Sequence, residues 1–201
     1  MDANRRFHYL GRRDDELNTT GLEQARALAV ALGEVPFGAV ISSPQLRALE
    51  TARAIAAPAG VDIGVDSRLV ELDFGTWEGR SRAEVMSSGE ENRRVLAEWE
   101  GNPAMATPGG ESLVDVQTRV VELADDLSRL WPAETVVLVS HMGPIKVLLC
   151  AALGLPLQSA GRIFLDPATV SVVEWGERPL IRLVNSHAHL GFAGARWLRG
   201  D

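Results

Sequence analysis

Three side chains in this sequence could do chemistry together: Arg47, Glu71 and His141. Each follows or flanks the end of a predicted strand, in three separate segments. A guanidinium, a carboxyl and an imidazole gathered at one sheet edge suit the transfer of a phosphoryl group. Arginine offers a planar fork of donors that matches phosphate oxygens. A glutamic acid protonates a leaving alcohol when burial and nearby negative charge raise its pKa. A histidine stabilises the negative charge that spreads over the transferring group. On spacing alone, Arg47 fits a surface salt bridge equally well. Glu71 fits a solvated acid beside a turn, and His141 a lone loop histidine.

The elements that must position them are readable from pattern. Thr135–Lys146 reads T-V-V-L-V-S-H-M-G-P-I-K. Its unbroken apolar run, closed by a turn, predicts a parallel strand buried on both faces. Gly143 and Pro144 then open a helix carrying Ile145, Leu148, Leu149 and Ala152, ended by Gly154 and Pro156. His141 therefore lies where open α/β sheets bind ligands, and the N–H groups of Met142 and Gly143 should point at an anion. Phe37–Ser42 predicts a short buried strand. Ser43 as N-cap and Pro44 as first helical residue then start a helix with Arg47 in its first turn. Thr20-Gly21-Leu22-Glu23 reads as a capping box opening an earlier helix. Val61–Val65 predicts a further short strand.

Glu71–Gly79 packs two glycines, two aromatics and three acids, which suits an ordered functional loop rather than a helix. Ser81–Glu100 is helical and charged, and Asn102–Gly110 is a loop. Glu111–Leu130 is amphipathic, with Leu113, Val116, Val120, Leu123, Leu127 and Leu130 at helical spacing. Thr169–Trp175 and Leu180–Val184 predict a hairpin. Alternating strands and helices argue an α/β sandwich, a mostly parallel sheet flanked by helices. The tail with His187 and His189 reads as exposed, and H-x-H without a third ligand is a weak metal site.

The length of 201 residues suits a single domain with a full core. A net charge of −7 argues against a basic nucleic-acid surface. No run approaches a membrane span and no signal peptide opens the chain, so a cytoplasmic location is expected. Cys150, the single cysteine, reads as a small core residue.

Five segments, in order, resemble the histidine phosphatase superfamily, the phosphoglycerate-mutase-like fold. They are Leu17–Ala25 (L-N-T-T-G-L-E-Q-A), Ser42–Ala52 (S-S-P-Q-L-R-A-L-E-T-A), Glu71–Gly79 (E-L-D-F-G-T-W-E-G), Pro108–Ser112 (P-G-G-E-S) and Val139–Lys146 (V-S-H-M-G-P-I-K). The flavour is that of small bacterial phosphatases related to α-ribazole phosphatase. It is also similar to the phosphatase half of ribonuclease H–acid phosphatase fusions. The resemblance implies a phosphatase of small phosphomonoesters acting through a phosphohistidine, with no metal or cofactor. It implies that Arg47 binds the phosphoryl group, Glu71 is the general acid/base and His141 is the second, non-nucleophilic histidine. The Met142 amide, Asn4 and the Gly11 backbone would line the same pocket. Residues 79–110 would form a cap over the site; their arginines Arg80, Arg82, Arg93 and Arg94 also read as a solvated face.

The family's nucleophile is a histidine in an Arg-His-Gly motif that ends a first strand, and this sequence has neither. Alignment on Asn4 and Gly11 puts the motif just before Met1, in a missing piece of roughly ten residues, about 33 Å at full extension. The family's first strand is expected between the strands ending at Ser42 and Ser140. Leaving its place empty would orphan backbone groups at about 1–3 kcal/mol each. A start upstream of Met1 is the favoured expectation; closure of the neighbouring strands or filling by the tail are the others. His8 is the substitute candidate, although no apolar strand precedes it, and it reads better as a loop residue near the pocket mouth. The alternatives are a non-catalytic phospho-ligand or partner-binding relative, or an enzyme that has lost phosphoryl transfer and uses Glu71 and His141 for altered acid/base chemistry.

Overall fold

The strand at the centre of the sheet is β1 (Ala39–Ser42), an A-V-I-S run whose Val40 is fully buried. It pairs in parallel with β2 (Ile63–Val65) on one side and with β3 (Val136–Val139) on the other. The computed structural model describes residues 8–191. Asn4 thus lies outside the described residues.

The β1–β3 register is continuous, from Ala39 opposite Val136 to Ser42 opposite Val139. No place for a strand is left between them, which corrects the expected position of the family's first strand. The sheet order is β2-β1-β3, so among the described residues the two outer edges, those of β2 and β3, carry no partner strand. The β3 side chains are also less enclosed than an all-apolar run predicts, with only Val139 buried. An edge strand lacks the neighbouring strand whose side chains would cover it. The predicted hairpin forms as β4 (Val170–Glu174) and β5 (Leu180–Ser186), an antiparallel sheet of its own. Val170 packs against the core group that contains Val139 and Val137.

Helices flank the sheet. The helix α1 (Thr19–Leu32) packs on α2 (Leu46–Ala59), and Leu28, Ala29, Ala48, Ala52, Ile55 and Ala56 join Val40 and Val139 in one core. The alanines let α2 lie close to the sheet. The N-cap of α1 is Asn18, two residues before the Thr20 of the capping-box reading, and its Oδ1 accepts the Gly21 N–H at 3.0 Å. Thr20 does not cap it.

The segment 81–101 holds two helices, α3 (Arg82–Ser87) and α4 (Glu90–Gly101), broken at Gly89 with φ +126°. Next come α5 (Leu113–Leu130), capped by Ser112 and Asp115, and α6 (Met142–Leu153). Their buried Val116, Val120, Val147 and Cys150 pack with Leu72 and Leu157. Leu130, placed on the apolar face by spacing, is 71% exposed at the last turn. His187, expected in an exposed tail, is buried just past β5. His189 lies near the Ala168 carbonyl, 2.8 Å from Nε2. Among the described residues no helix is long and apolar enough to cross a membrane.

Candidate active site

Arg47, Glu71 and His141 converge at the carboxyl ends of β1 and β3. The parallel β1–β3 register sets Ser42 level with Val139, so the next residues of both strands emerge together. Arg47 is buried in the first turn of α2. That helix starts at Leu46, later than Ser43 and Pro44 predict, because its opening N–H is taken from outside: Asp14 Oδ1 accepts the Leu46 N–H at 2.6 Å. A carboxylate suits the positive end of a helix. Glu50 Oε2 likewise accepts the Leu17 N–H at 2.7 Å. These two bonds pin the loop before α1 onto α2.

Ser43 Oγ accepts the Gln45 N–H, at 3.3 Å, and also faces His141. Arg47 Nε donates to His141 Nδ1 at 3.2 Å, and His141 Nε2 lies 2.8 Å from Ser43 Oγ. A guanidinium only donates, so Nδ1 must be the acceptor, and the proton assigned by this network is on Nε2, donating to Ser43. The imidazole is therefore no base toward Ser43, and a Ser–His nucleophile pair is excluded. Burial holds the His141 pKa well below 6.5, with the Arg47 charge and then that of Arg119 pushing the same way.

This has a measurable consequence. Between the folded pKa of His141 and 6.5, the unfolded chain binds a proton that the folded one refuses, so stability is full above that window and lost as pH falls through it. The unfolding free energy of the wild type minus that of His141→Gln should rise with pH at up to about 1.4 kcal/mol per unit below the ordinary histidine pKa, then level off. Both proteins keep Glu71, whose raised pKa acts in the opposite direction, so the difference isolates the imidazole. Urea titrations across this range would read it; parallel curves would mean that His141 charges as easily in the folded protein as in the unfolded one.

Two further Arg47 donors are bound to the loop before α1. Nη1 donates to Arg13 O at 2.6 Å and Nη2 to Gly11 O at 2.9 Å. Arginine has five N–H groups, so with Nε on His141 two remain for a ligand. Burial lowers the Arg47 pKa, opposed first by Glu71 and then by Asp14, Asp15 and Glu78.

Glu71 meets the start of α6. The Gly143 N–H, expected to face a bound anion, donates instead to Glu71 Oε1 at 3.0 Å and more distantly to Oε2 at 3.4 Å. The Leu72 N–H also donates to Oε1, at 2.8 Å. The anion at this helix terminus is the protein's own carboxyl group. Burial raises the Glu71 pKa, and these amides, Arg47 and Arg119 pull it down. Burial thus acts as expected, while the neighbouring charges are positive rather than negative. With Oε1 saturated by two amides, a proton on Glu71 belongs on Oε2.

The Glu71 loop is clasped to the P-G-G-E-S segment. Thr76 N donates to Pro108 O at 3.0 Å, Glu111 N to Asp73 O at 2.9 Å and Thr107 Oγ1 to Asp73 O at 3.0 Å. Glu111 forms a two-point ion pair with Arg119, whose Nη1 and Nη2 donate to Arg68 O (2.6 Å) and Glu71 O (3.3 Å). A Cβ added to Gly110 would run into Asp73 O and Thr107 Oγ1. Gly110→Ala should therefore cost at least about 1–3 kcal/mol, the scale of overpacking. Gly101→Ala, with open space around it, should be near neutral in the same urea titration. Equal midpoints for the two variants would show that the clasp yields.

Sequence reasoning missed Ser43, Arg119 and Gln45. Gln45 Oε1 accepts the Glu71 N–H at 2.9 Å, and its Nε2 donates to Gly11 O at 3.1 Å and Arg13 O at 3.4 Å. A glutamine two residues before Arg47 was the only signal, and the sequence does not say which way it points. His8, the substitute nucleophile, forms an isolated antiparallel bridge with Ser81. Tyr9 packs on Phe74 with ring centres 4.7 Å apart, and Trp77 meets Trp99 edge-on at 5.6 Å, so α3 and α4 sit on an aromatic base. Among the described residues no group of three or more His, Cys, Asp or Glu is placed to hold a metal ion.

The profile of the histidine phosphatase superfamily (branch 1) matches residues 1–186. The chain belongs to that family. It is 38% identical over 185 residues to a bifunctional protein of Mycobacterium tuberculosis, covering 90% of this chain and 50% of the relative. It thus spans about half the length of that mycobacterial relative. Phosphoserine phosphatase 1 of Hydrogenobacter thermophilus is 34% identical, covering 91% of this chain and 86% of the relative. Among solved structures, mycobacterial glucosyl-3-phosphoglycerate phosphatase complexed with VO3 superposes with a TM-score of 0.82 at 31% identity, covering 92% and 94% of the two chains. Bacillus stearothermophilus YhfR gives 0.85 at 26% identity, covering 94% of each chain. This histidine phosphatase fold is the phosphoglycerate mutase-like α/β sheet described above.

Proposed function

We propose that this protein is a phosphatase of small phosphomonoesters that acts through a phosphohistidine, with Arg47 and His141 holding the phosphoryl group and Glu71 as proton donor. The observation that carries this reading is the buried bond from Arg47 Nε to a neutral His141. It fixes a guanidinium with two donors to spare beside an imidazole whose Nε2–H needs only to turn from Ser43 to a phosphoryl oxygen. Gly11 and Met142 line the same pocket through their backbone. Residues 79–110 roof it.

The chemistry follows from charge and proton positions. A nucleophilic nitrogen bonds to phosphorus as the P–O bond to the leaving group breaks, and Glu71 Oε2 gives its proton to the departing oxygen. Water then attacks phosphorus as the P–N bond breaks, giving a proton to Glu71 and releasing inorganic phosphate and the free histidine. Arg47 and His141 meet the charge on the equatorial oxygens in both steps. The named relatives cleave phosphoserine and glucosyl-3-phosphoglycerate, both small phosphomonoesters, which supports that substrate class.

In this reading the nucleophile is a histidine not among the printed residues, on a strand along the edge of β3 that carries no partner strand among the described residues. A strand parallel to β3 on that edge would end level with Ser140 and His141. The alternative, a phospho-ligand-binding relative without turnover, is favoured by the absence of an Arg-His-Gly motif in the sequence. Turnover of p-nitrophenyl phosphate without added metal separates the two, measured on this chain and on a form extended upstream. Activity of the extended form alone, with phosphate trapped on its added histidine, is the expected result. Activity of the chain as printed would place the nucleophile within it and make His8 the first residue to replace. A folded extended form that binds phosphate but never turns over would leave the binding reading.

A further inference from the structure

We infer that Gln45 is a positioning residue that couples the proton donor to the phosphate-holding arginine; this rests on the phosphatase reading. Gln45 is the side chain whose three hydrogen bonds span both halves of the pocket. Its Oε1 accepts the N–H of Glu71 itself, at 2.9 Å. Its two amide hydrogens go to Gly11 O at 3.1 Å and Arg13 O at 3.4 Å. The partner types fix the amide orientation, because two carbonyls demand the NH2 end and one N–H demands the oxygen. The group is 6% exposed, so these bonds do not compete with bulk water.

The same two carbonyls receive Arg47 Nη2 and Nη1. Gly11 O and Arg13 O therefore orient the guanidinium, and Gln45 holds them in place. A neutral amide suits this position. Its bonds are insensitive to the charge of an arriving phosphate, whereas the Arg47–carbonyl bonds weaken when the guanidinium turns toward phosphoryl oxygens. Without Gln45 the loop would have to follow Arg47 or release it. Gln45 also holds the Glu71 backbone on its N–H side while Arg119 holds it on the carbonyl side, at 3.3 Å. The carboxyl group is thus set against Gly143 from both ends of its own residue.

The two variants that test this separate its two ties. Gln45→Leu removes all three bonds at similar size. Gln45→Glu keeps an oxygen for the Glu71 N–H but places a second carboxylate oxygen against two carbonyls, where it competes for Arg47. Amide hydrogen exchange by NMR should show Glu71 losing protection in the leucine variant and keeping it in the glutamate variant. Affinity for inorganic phosphate by calorimetry should fall at least about tenfold in both, the effect of roughly one lost hydrogen bond. In the active form, the leucine variant should lose kcat on alkyl phosphates more than on p-nitrophenyl phosphate, the mark of a displaced proton donor. Unchanged Glu71 exchange with phosphate affinity within threefold of the wild type would overturn the role, as would an exchange increase spread evenly over the sheet. No phosphate binding by the wild type would overturn the functional reading itself, and the role with it.

Discussion

In the extended form proposed to be active, replacing Arg47 with lysine should reduce phosphatase turnover by at least about a hundredfold, the scale of losing one preorganised charge-stabilising donor. Lysine keeps the charge, so the test isolates geometry. The guanidinium is planar, and its five donors already serve three acceptors in different directions: His141 Nδ1, Gly11 O and Arg13 O. A lysine ammonium has three donors and no fork. It can satisfy those acceptors or a phosphoryl group, but not both. Arg47→Ala should lose turnover to the same degree and also stability. It leaves three buried or half-buried acceptors without their donor, each at about 1–3 kcal/mol before water or Gln45 compensates. Steady-state kinetics and urea titration read the two effects separately. A lysine variant within tenfold of the wild type would show that charge alone holds the phosphoryl group.

In the same extended form, Glu71→Gln should slow turnover of alkyl phosphates by about 10²–10⁴-fold, the range of general acid catalysis. The loss on p-nitrophenyl phosphate should be far smaller, because that leaving group hardly needs a proton. The amide is close to isosteric and can still accept the Leu72 and Gly143 N–H groups, so the fold should be little changed. The pH profile supplies a second readout. Burial raises the Glu71 pKa, so the protonated donor persists to higher pH than an ordinary glutamic acid, and turnover should fall as pH rises through that value. In the glutamine variant this basic limb should vanish. Equal losses on both substrates would remove Glu71 from the proton-donor role. A retained limb would assign the titration to another group.

Arg47, Glu71 and His141 are already singled out by the sequence, and the reason is local. His141 follows an unbroken apolar strand run and Arg47 lies in the first helical turn after another, at boundaries where the pattern changes to a period of 3.6. Glu71 lies in a loop whose glycines and aromatics exclude a helix. Such boundaries are visible in a single sequence because each depends on a few adjacent residues. The helices α5 and α6, the hairpin and the buried Cys150 were legible for the same reason.

What stayed hidden depends on contacts across the chain. The sequence marks Ser43 and Pro44 as a helix start, but the cap comes from Asp14, folded back from a distant loop. The sequence offers the Gly143 N–H to an external anion, and the fold gives it to Glu71. Gln45 and Arg119 carry no periodicity or motif signal that names their partners, which lie 26 and 48 residues away at Glu71. The sheet order was beyond the pattern too. Apolar runs show that strands exist but not which edges meet, because parallel pairing is fixed by packing of the intervening helices. By itself, the sequence determined the fold class, most of the elements and the three side chains that the fold brings together. Only the tertiary structure decided that β1 and β3 pair directly, that His141 is a neutral donor to Ser43, and that Glu71 is held between an amide side chain and a helix terminus. The physical reason is that protonation and orientation follow from burial and from hydrogen-bond partners, and both exist only once distant segments have been brought together.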